Sequence, residues 1–240
     1  MNDYKKIYNE NFKNKGGARR EFGNVAGSYE YVKKFNLNQK NVILDIGCNT
    51  GFLVNKLCQE GYSDIFGVDI SDEAINFGKE KYPNIAEKLV CYEGDKLPFE
   101  NDSFDVVLMF DSMEHIPEAE KFLKNEARRV LKKDGLLIFQ TPNKYPNILW
   151  AYIDAKSIFT CWWIEHCSLQ TVFSLRKLLR NSGFSEIKVE KGLIDTEYNL
   201  QKIQNKFGKF SGIILKILEK LPLVFYPNLF GSAKKYYKIR

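Results

Sequence analysis

An aspartate, two glycines and an asparagine stand together in VILDIGCNTGFLVNKL, as Asp45, Gly47, Asn49 and Gly51. The apolar run ahead of them reads as a strand buried on both faces, and the spacing behind them is helical. Such a junction leaves backbone N–H groups open at a helix start, where a ligand can sit. Gly47 has no Cβ to block a close approach, Gly51 lets the helix pack on the strand, and Asn49 tolerates a left-handed conformation. Asp45 sets the sign of the ligand: a carboxylate there repels a pyrophosphate and suits an ammonium group. A nicotinamide site would need G-x-G-x-x-G and a P-loop would need GKS or GKT after Gly51, and neither is present.

Asp69 closes the next apolar run, IFGVDI. A loop aspartate usually caps a turn. Two of them at the ends of neighbouring strands, flanking a glycine turn, point to a ligand instead. For proton transfer the candidates are His115 in SMEHIP, His166 in WWIEHCSL and Asp111 after FDVVLMF. Histidine titrates near neutrality and is the natural base for a hydroxyl nucleophile. The five cysteines, Cys48, Cys58, Cys91, Cys161 and Cys167, form no CxxC pair and no metal-ligand spacing, so reduced thiols and no metal are expected.

These residues must be positioned by alternating strands and helices. Residues 42–46 form a strand, 52–60 a helix stopped by Gly61, and IFGVDI a second strand. Ser71 is the predicted N-cap of the next helix, which ends before Pro83. KLVCYEG and FDVVLMF follow as strands, then a helix over about 117–131, the turn signal KKDG, and the strand GLLIFQT. Residues 171–181 make a helix stopped by Gly183, and FSEIKVEKG a strand. This rhythm predicts an α/β fold with a doubly wound, mostly parallel sheet. Outside it lie a polar N-terminal stretch, expected as a helical cap broken at Gly16 and Gly17, and residues 193–228, which precede a last strand near 230–239.

The ordered blocks DIGCNTG, GVDIS, EGDKLPFENDSFDVVLMFDSMEHIP and RRVLKKDGLLIFQTPN resemble the class I S-adenosylmethionine-dependent methyltransferases of the small-molecule type, over roughly residues 40–192. The resemblance implies a Rossmann-like sheet of seven strands with the last antiparallel, S-adenosyl-L-methionine as cofactor and S-adenosyl-L-homocysteine as product. Asp45, Gly47, Cys48, Asn49 and Gly51 then match the turn on the methionine part. Asp69 matches the acid that accepts the ribose hydroxyls, Ile70 the residue on the adenine face, and Asp95, with the Lys96 backbone as its alternative, the contact to the adenine amino group. Phe110 matches the strand end facing the methionine. His115 falls in the family's EHI block, and His166 matches a histidine that faces the acceptor, with Leu169 and Gln170 replacing its usual aromatics. FDSM, where an N-P-P-Y type tetrapeptide would stand, argues against a nucleobase acceptor. A small molecule, glycan or lipid-linked acceptor, methylated at oxygen, is the expectation. The alternatives are a module that binds cofactor without catalysis, and an RNA methyltransferase.

At 240 residues, 44% hydrophobic and 28% charged, the chain suits one domain: a cap over 1–35, a cofactor-binding core over 36–192, and an insertion plus final strand over 193–240. No secretory h-region or membrane span is visible, so a cytoplasmic protein is expected. The first 20 residues are near +4, the last 40 near +8, and the body near −6. Within 206–221, Phe210, Ile213, Ile214, Ile217, Leu218 and Leu221 recur at helical spacing, with Lys209, Lys216, Glu219 and Lys220 elsewhere on the wheel. That helix is a lid on the sheet, a dimer contact or, with the cationic tail to 240, a peripheral contact with an anionic membrane. Trp150, Tyr152, Phe159, Trp162 and Trp163 form core or an acceptor pocket. Nothing in the sequence specifies an oligomeric state.

Overall fold

A computed structural model describes residues 2–14, 25–153, 166–192, 204–205 and 208–236. Its centre is one seven-stranded sheet in the order β3-β2-β1-β4-β5-β7-β6. The strands are β1 (Ile43–Ile46), β2 (Ile65–Asp69), β3 (Leu89–Cys91), β4 (Phe104–Phe110), β5 (Leu131–Pro142), β6 (Phe184–Lys191) and β7 (Asn228–Lys235). The first five pair in parallel, and β7 slots between β5 and β6 antiparallel to both. β1 is apolar but for Asp45 and is buried at all four positions, as a central strand covered on both faces must be.

Helices cover both faces. On one side lie α2 (Val25–Lys33), α3 (Phe52–Gln59) and α4 (Asp72–Lys81), which bury Tyr31, Val54, Leu57 and Ile75. On the other lie α5 (Ala119–Phe122), a π turn over Leu123–Ala127, α6 (Arg128–Val130) and α8 (Val172–Asn181), contributing Phe122, Leu123, Leu175 and Leu179. Between them in sequence, α7 (Lys144–Ile153) follows β5. Local chemistry sets the helix ends: Ser71 Oγ accepts from Ala74 N–H, Thr171 and Ser174 form a reciprocal capping box, and Gly61 and Gly183 adopt positive φ past the helix ends.

Three boundaries differ from the sequence expectation. The helix expected over about 117–131 starts at Ala119 and runs through the π turn to Val130. KKDG does not precede β5 but bulges within it: Leu131 pairs with Phe104, Leu136 with Val106, and Asp134 takes φ 59°. The last strand begins at Asn228, earlier than expected, because its apolar Leu229 and Phe230 are needed between β5 and β6.

α1 (Asn2–Asn14) is tied across the carboxyl edge of the sheet: Asn9 Oδ1 accepts from Ser71 Oγ at 2.8 Å, and the Phe12 and Phe77 rings meet edge-on. α2 is built into the core rather than resting on it, since Tyr29, Tyr31 and Val32 are buried. Gly16 and Gly17 lie outside the described residues, as do Phe159, Cys161, Trp162 and Trp163. α9 (Ser211–Lys220) ends at Leu221–Pro222, as expected. No helix among the described residues is long and apolar enough to cross a membrane.

Candidate active site

A cleft opens at the carboxyl edge of the parallel strands, where open α/β sheets hold ligands. The end of β1 supplies Ile46, Gly47 and Asn49, and the end of β2 supplies Asp69, Ile70 and Ser71. Tyr92 follows β3, and Asp111, Ser112, His115 and Ile116 follow β4. Tyr8 and Phe12 of α1 form its remaining wall. A second hollow beside α1, among Lys5, Lys13 and Glu73, is lined by charged side chains, of which Lys13 pairs with Glu73 and Lys5 with Glu93.

The glycine turn behaves as its residues require. Gly47 takes φ 80°, Asn49 φ 51° and Gly51 φ 76°. A Cβ on Gly47 would stand 2.6 Å from Ser112 Cβ, so this glycine admits the loop after β4. A Cβ on Gly51 would press on Leu89 of β3. Gly47→Ala therefore combines a left-handed alanine, costing roughly 1–2 kcal/mol, with a displaced Ser112. We expect it to lower the urea midpoint by the equivalent of about 2 kcal/mol or more; a midpoint equal to wild type would show that the turn tolerates a side chain.

Asp69 is fixed by the same turn. Its Oδ2 accepts from Asn49 N–H at 2.8 Å and its Oδ1 from Ser71 N–H at 2.9 Å. The Ile70 N–H also bonds this carboxylate, so three backbone donors hold it and part of its acceptor capacity remains. Burial raises its pKa, and the backbone N–H groups of Ser71, Asn49 and Ile70 pull against that rise. Asp45 is one residue short of the cleft wall and only 3% exposed. Burial, helped by the Asp69 charge, pushes it to about 7. Neither carboxylate has an ion-pair partner among the described residues. Asn49 Oδ1 and Ser112 Oγ are buried with no hydrogen-bond partner among the described residues.

Past Ser112 the chain makes a short 3-10 turn, Met113–His115, which gathers the other polar groups. Asp111, at φ 47°, accepts from Gln140 Nε2 at 2.6 Å, and Gln140 Oε1 accepts from Ser28 Oγ of α2 at 3.3 Å. The His115 ring meets the Tyr8 ring edge-on at 5.7 Å and the His166 ring at 4.7 Å between centroids. Glu114 is buried, accepts from Thr141 Oγ1 of β5 at 3.1 Å, and lies 3.9 Å from His115 Nε2. Its carbonyl accepts from Ser168 N–H at 2.9 Å, the clamp that brings the distant His166 here. Burial first, then the Asp111 charge, holds the Glu114 carboxyl well above the usual range.

The fold thus brings Gly47, Asn49, Asp69, Ile70, Asp111 and His115 to one cleft, with Asp45 behind it and His166 against His115. It leaves other expected residues off the lining. Cys48 is buried under Gly67, Gly51 caps α3, and the Phe110 ring packs towards Phe230. Asp95 and Lys96 are exposed and bonded to each other, Lys96 N–H donating to Asp95 Oδ1 at 2.7 Å. Tyr92, three residues earlier, takes the lining position. The sequence reading missed Tyr8, Phe12, Tyr92, Ser112 and Glu114. For Glu114 the available signal was a carboxylate flanked by Met113 and His115 between apolar residues; for the α1 aromatics, only their spacing on a polar helix.

Residues 44–139 match the family model described as "Methyltransferase domain". A sterol 4-C-methyltransferase of Caenorhabditis elegans is 34% identical over 111 residues, covering 45% of this chain and 33% of its own. A ubiquinone biosynthesis O-methyltransferase of Neisseria meningitidis is 31% identical over 109 residues, 44% of this chain and 45% of its own. The chain thus spans less than half the length of these curated relatives. Among solved structures, an S-adenosylmethionine-dependent methyltransferase from Thermotoga maritima aligns over 96% of this chain and 95% of its own, with a TM-score of 0.62 at 20% identity. A Haemonchus contortus phosphoethanolamine N-methyltransferase 2 solved with S-adenosyl-L-methionine aligns over 86% and 51%, with a TM-score of 0.62 at 19% identity. At these identities the structures establish the fold.

Proposed function

Residues 44–139 carry a methyltransferase domain on the class I fold, and from that premise we propose that this chain transfers a methyl group from S-adenosyl-L-methionine to the oxygen of a small, hydroxyl-bearing acceptor. The observation that carries the reading is the set of polar groups around the cleft that lack partners among the described residues: two carboxylates with no ion-pair partner, and two buried oxygens, on Asn49 and Ser112, with no hydrogen-bond partner. They fit the cofactor's chemistry. Asp69 would accept from the ribose hydroxyls, Ile70 and Tyr92 would flank the adenine, and the turn at Gly47 and Asn49 would hold the methionine part, whose ammonium faces the field of Asp45.

Bound there, the cofactor supplies a methyl on a positively charged sulfur, already an activated electrophile. What remains for the chain is alignment, exclusion of water and the fate of the acceptor's proton. α1 covers the cleft, while Asp111 and His115 stand at its β4 end, with His166 against His115, to orient the hydroxyl and handle that proton. The relatives named for sterol and ubiquinone biosynthesis point to an apolar acceptor. Calorimetric titration with S-adenosyl-L-methionine and with NAD, followed by mass analysis of sterol, phenol and glycan mixtures, tests the reading. We expect the first ligand alone to bind and a product heavier by one methylene; binding without turnover favours the non-catalytic module, and dinucleotide binding overturns the reading.

An apolar acceptor would be met at a membrane. Phe210, Ile213 and Ile217, at 56%, 58% and 53% exposure, share one face along the 3-10 turn and α9 and are not packed on the sheet. Lys209, Lys216 and Lys220 flank that face, complementary to anionic headgroups. This supports a peripheral bilayer contact over a packed lid. In co-sedimentation, the protein should pellet with anionic vesicles, stay in solution with neutral ones, and be released by salt. Ile213→Asp with Ile217→Asp should abolish pelleting; unchanged recovery would end the membrane proposal.

A further inference from the structure

We propose that Glu114, His115 and His166 form a binding site for a first-row divalent cation, with Zn2+ the best match, whose open coordination position faces the cleft. One ligating atom from each residue lies within 4.8 Å of the other two. Two imidazoles and a carboxylate are a donor set that first-row cations take, and three protein ligands leave a fourth position for a water or a substrate oxygen. In tetrahedral zinc sites nitrogen and oxygen ligands stand about 3.4 Å apart, so the side chains need to close by roughly 1 Å. His115 Nε2 and Glu114 Oε1 are already at 3.9 Å.

Two further observations favour a cation. Glu114 is 1% exposed, and its carboxylate meets no lysine or arginine among the described residues; it is bonded by Thr141 Oγ1 and its own backbone N–H and lies beside the histidine. A buried carboxylate in that setting lacks the positive partner that would offset its lost hydration. The surroundings also fix the donors as ligand supports do. Thr141 orients the far oxygen of Glu114, Tyr8 sits edge-on to His115, and the Ser168 N–H clamp on the Glu114 carbonyl holds the His166 segment in place. Spacing along the chain indicated no metal because the third donor comes from a segment about fifty residues away.

The chemistry rests on the methyl-transfer reading, but metal binding does not. His115 also lines the cleft, so an acceptor hydroxyl entering from the cofactor side would reach the open position. There its pKa would fall and its proton would leave to water, giving the oxygen its nucleophilic form near neutral pH. The two histidines would then be ligands, leaving Asp111 to orient the acceptor.

The test uses the full chain after chelator treatment, titrated with Zn2+ against a colorimetric indicator and with Co2+ under visible spectroscopy. We expect one ion per chain and a Co2+ spectrum of low coordination number without a thiolate charge-transfer band. Affinity should fall by at least about tenfold in Glu114→Gln and in His166→Asn. Glu114→Gln can still accept from Thr141; should it fail to fold, His166→Asn, on a half-buried segment, carries the test alone. No stoichiometric binding, a thiolate band, or unchanged affinity in the folded variants overturns the site. S-adenosyl-L-methionine titration of the same samples separates the two readings: wild type that binds metal but not this cofactor refutes the methyl-transfer reading and leaves the metal site standing, while variants that keep cofactor affinity show that the cleft is intact.

Discussion

Asp69→Asn is expected to raise the dissociation constant for S-adenosyl-L-methionine by about 100-fold or more while the protein stays folded. A carboxylate at the end of β2 offers two charged acceptors to a pair of ribose hydroxyls, and hydrogen bonds to a charged group contribute about 1.5–3 kcal/mol each. Asparagine keeps the shape, loses the charge, and turns one acceptor into a donor, so a loss near 3 kcal/mol follows, or about two decades in affinity. Folding is cushioned by opposing effects. The change disturbs at least one of the N–H contacts from Asn49, Ser71 and Ile70, yet it removes a buried charge whose pKa is already raised by its burial. Calorimetry and thermal unfolding on the same sample check both halves. An affinity within about threefold of wild type would remove Asp69 from the cofactor site and with it the proposed orientation of the ligand.

Asp45→Asn should make the free protein more stable at neutral pH and the complex weaker. Asp45 titrates near 7 in the fold against 3.8 for an ordinary aspartate, because burial and the Asp69 charge disfavour its ionised form. The folded state therefore holds a proton that the unfolded chain has released, so stability is fully present below about pH 4 and lost as pH rises towards 7. At about 1.4 kcal/mol per unit, that loss is on the order of 4 kcal/mol. The variant does not suffer it, so its advantage over wild type should grow between pH 4 and 7 and then level off. Cofactor binding runs the other way. The ligand's positive groups favour ionised Asp45, so wild-type affinity should improve with pH up to about 7 and then flatten. In the variant this contribution to the pH dependence should be missing and affinity lower throughout. Urea melts and titrations across the pH range decide it; a variant less stable than wild type at pH 8, or one binding equally well, would mean that Asp45 is a structural acid.

The two expectations follow from residues that the sequence marks openly. DIGCNTG announces its own geometry, because only particular residues accept the φ values that Gly47, Asn49 and Gly51 adopt. The doubly wound, mostly parallel sheet was legible in the same way, since continuous apolar runs alternating with amphipathic helices have few ways to bury both faces of a sheet, while the strand order came from the structure. Residues whose role depends on what packs over them were not legible. Asp95 and Tyr92 sit three residues apart in one loop, and only the path of that loop decides which of them faces the cleft.

The chain's local chemistry by itself determined the doubly wound sheet, the glycine turn, the two acids at apolar strand ends and the cap residue Ser71, because each is written in a short local pattern of residue types. The tertiary structure alone decided that Tyr8 and Phe12 wall the cleft, that Glu114 is buried under Thr141, that His166 lies beside His115, and that the apolar face of α9 is left exposed. The physical reason is contact distance. Burial, pairing and pKa are set by groups brought together from segments up to about a hundred residues apart, and no periodicity in the sequence records which segments meet.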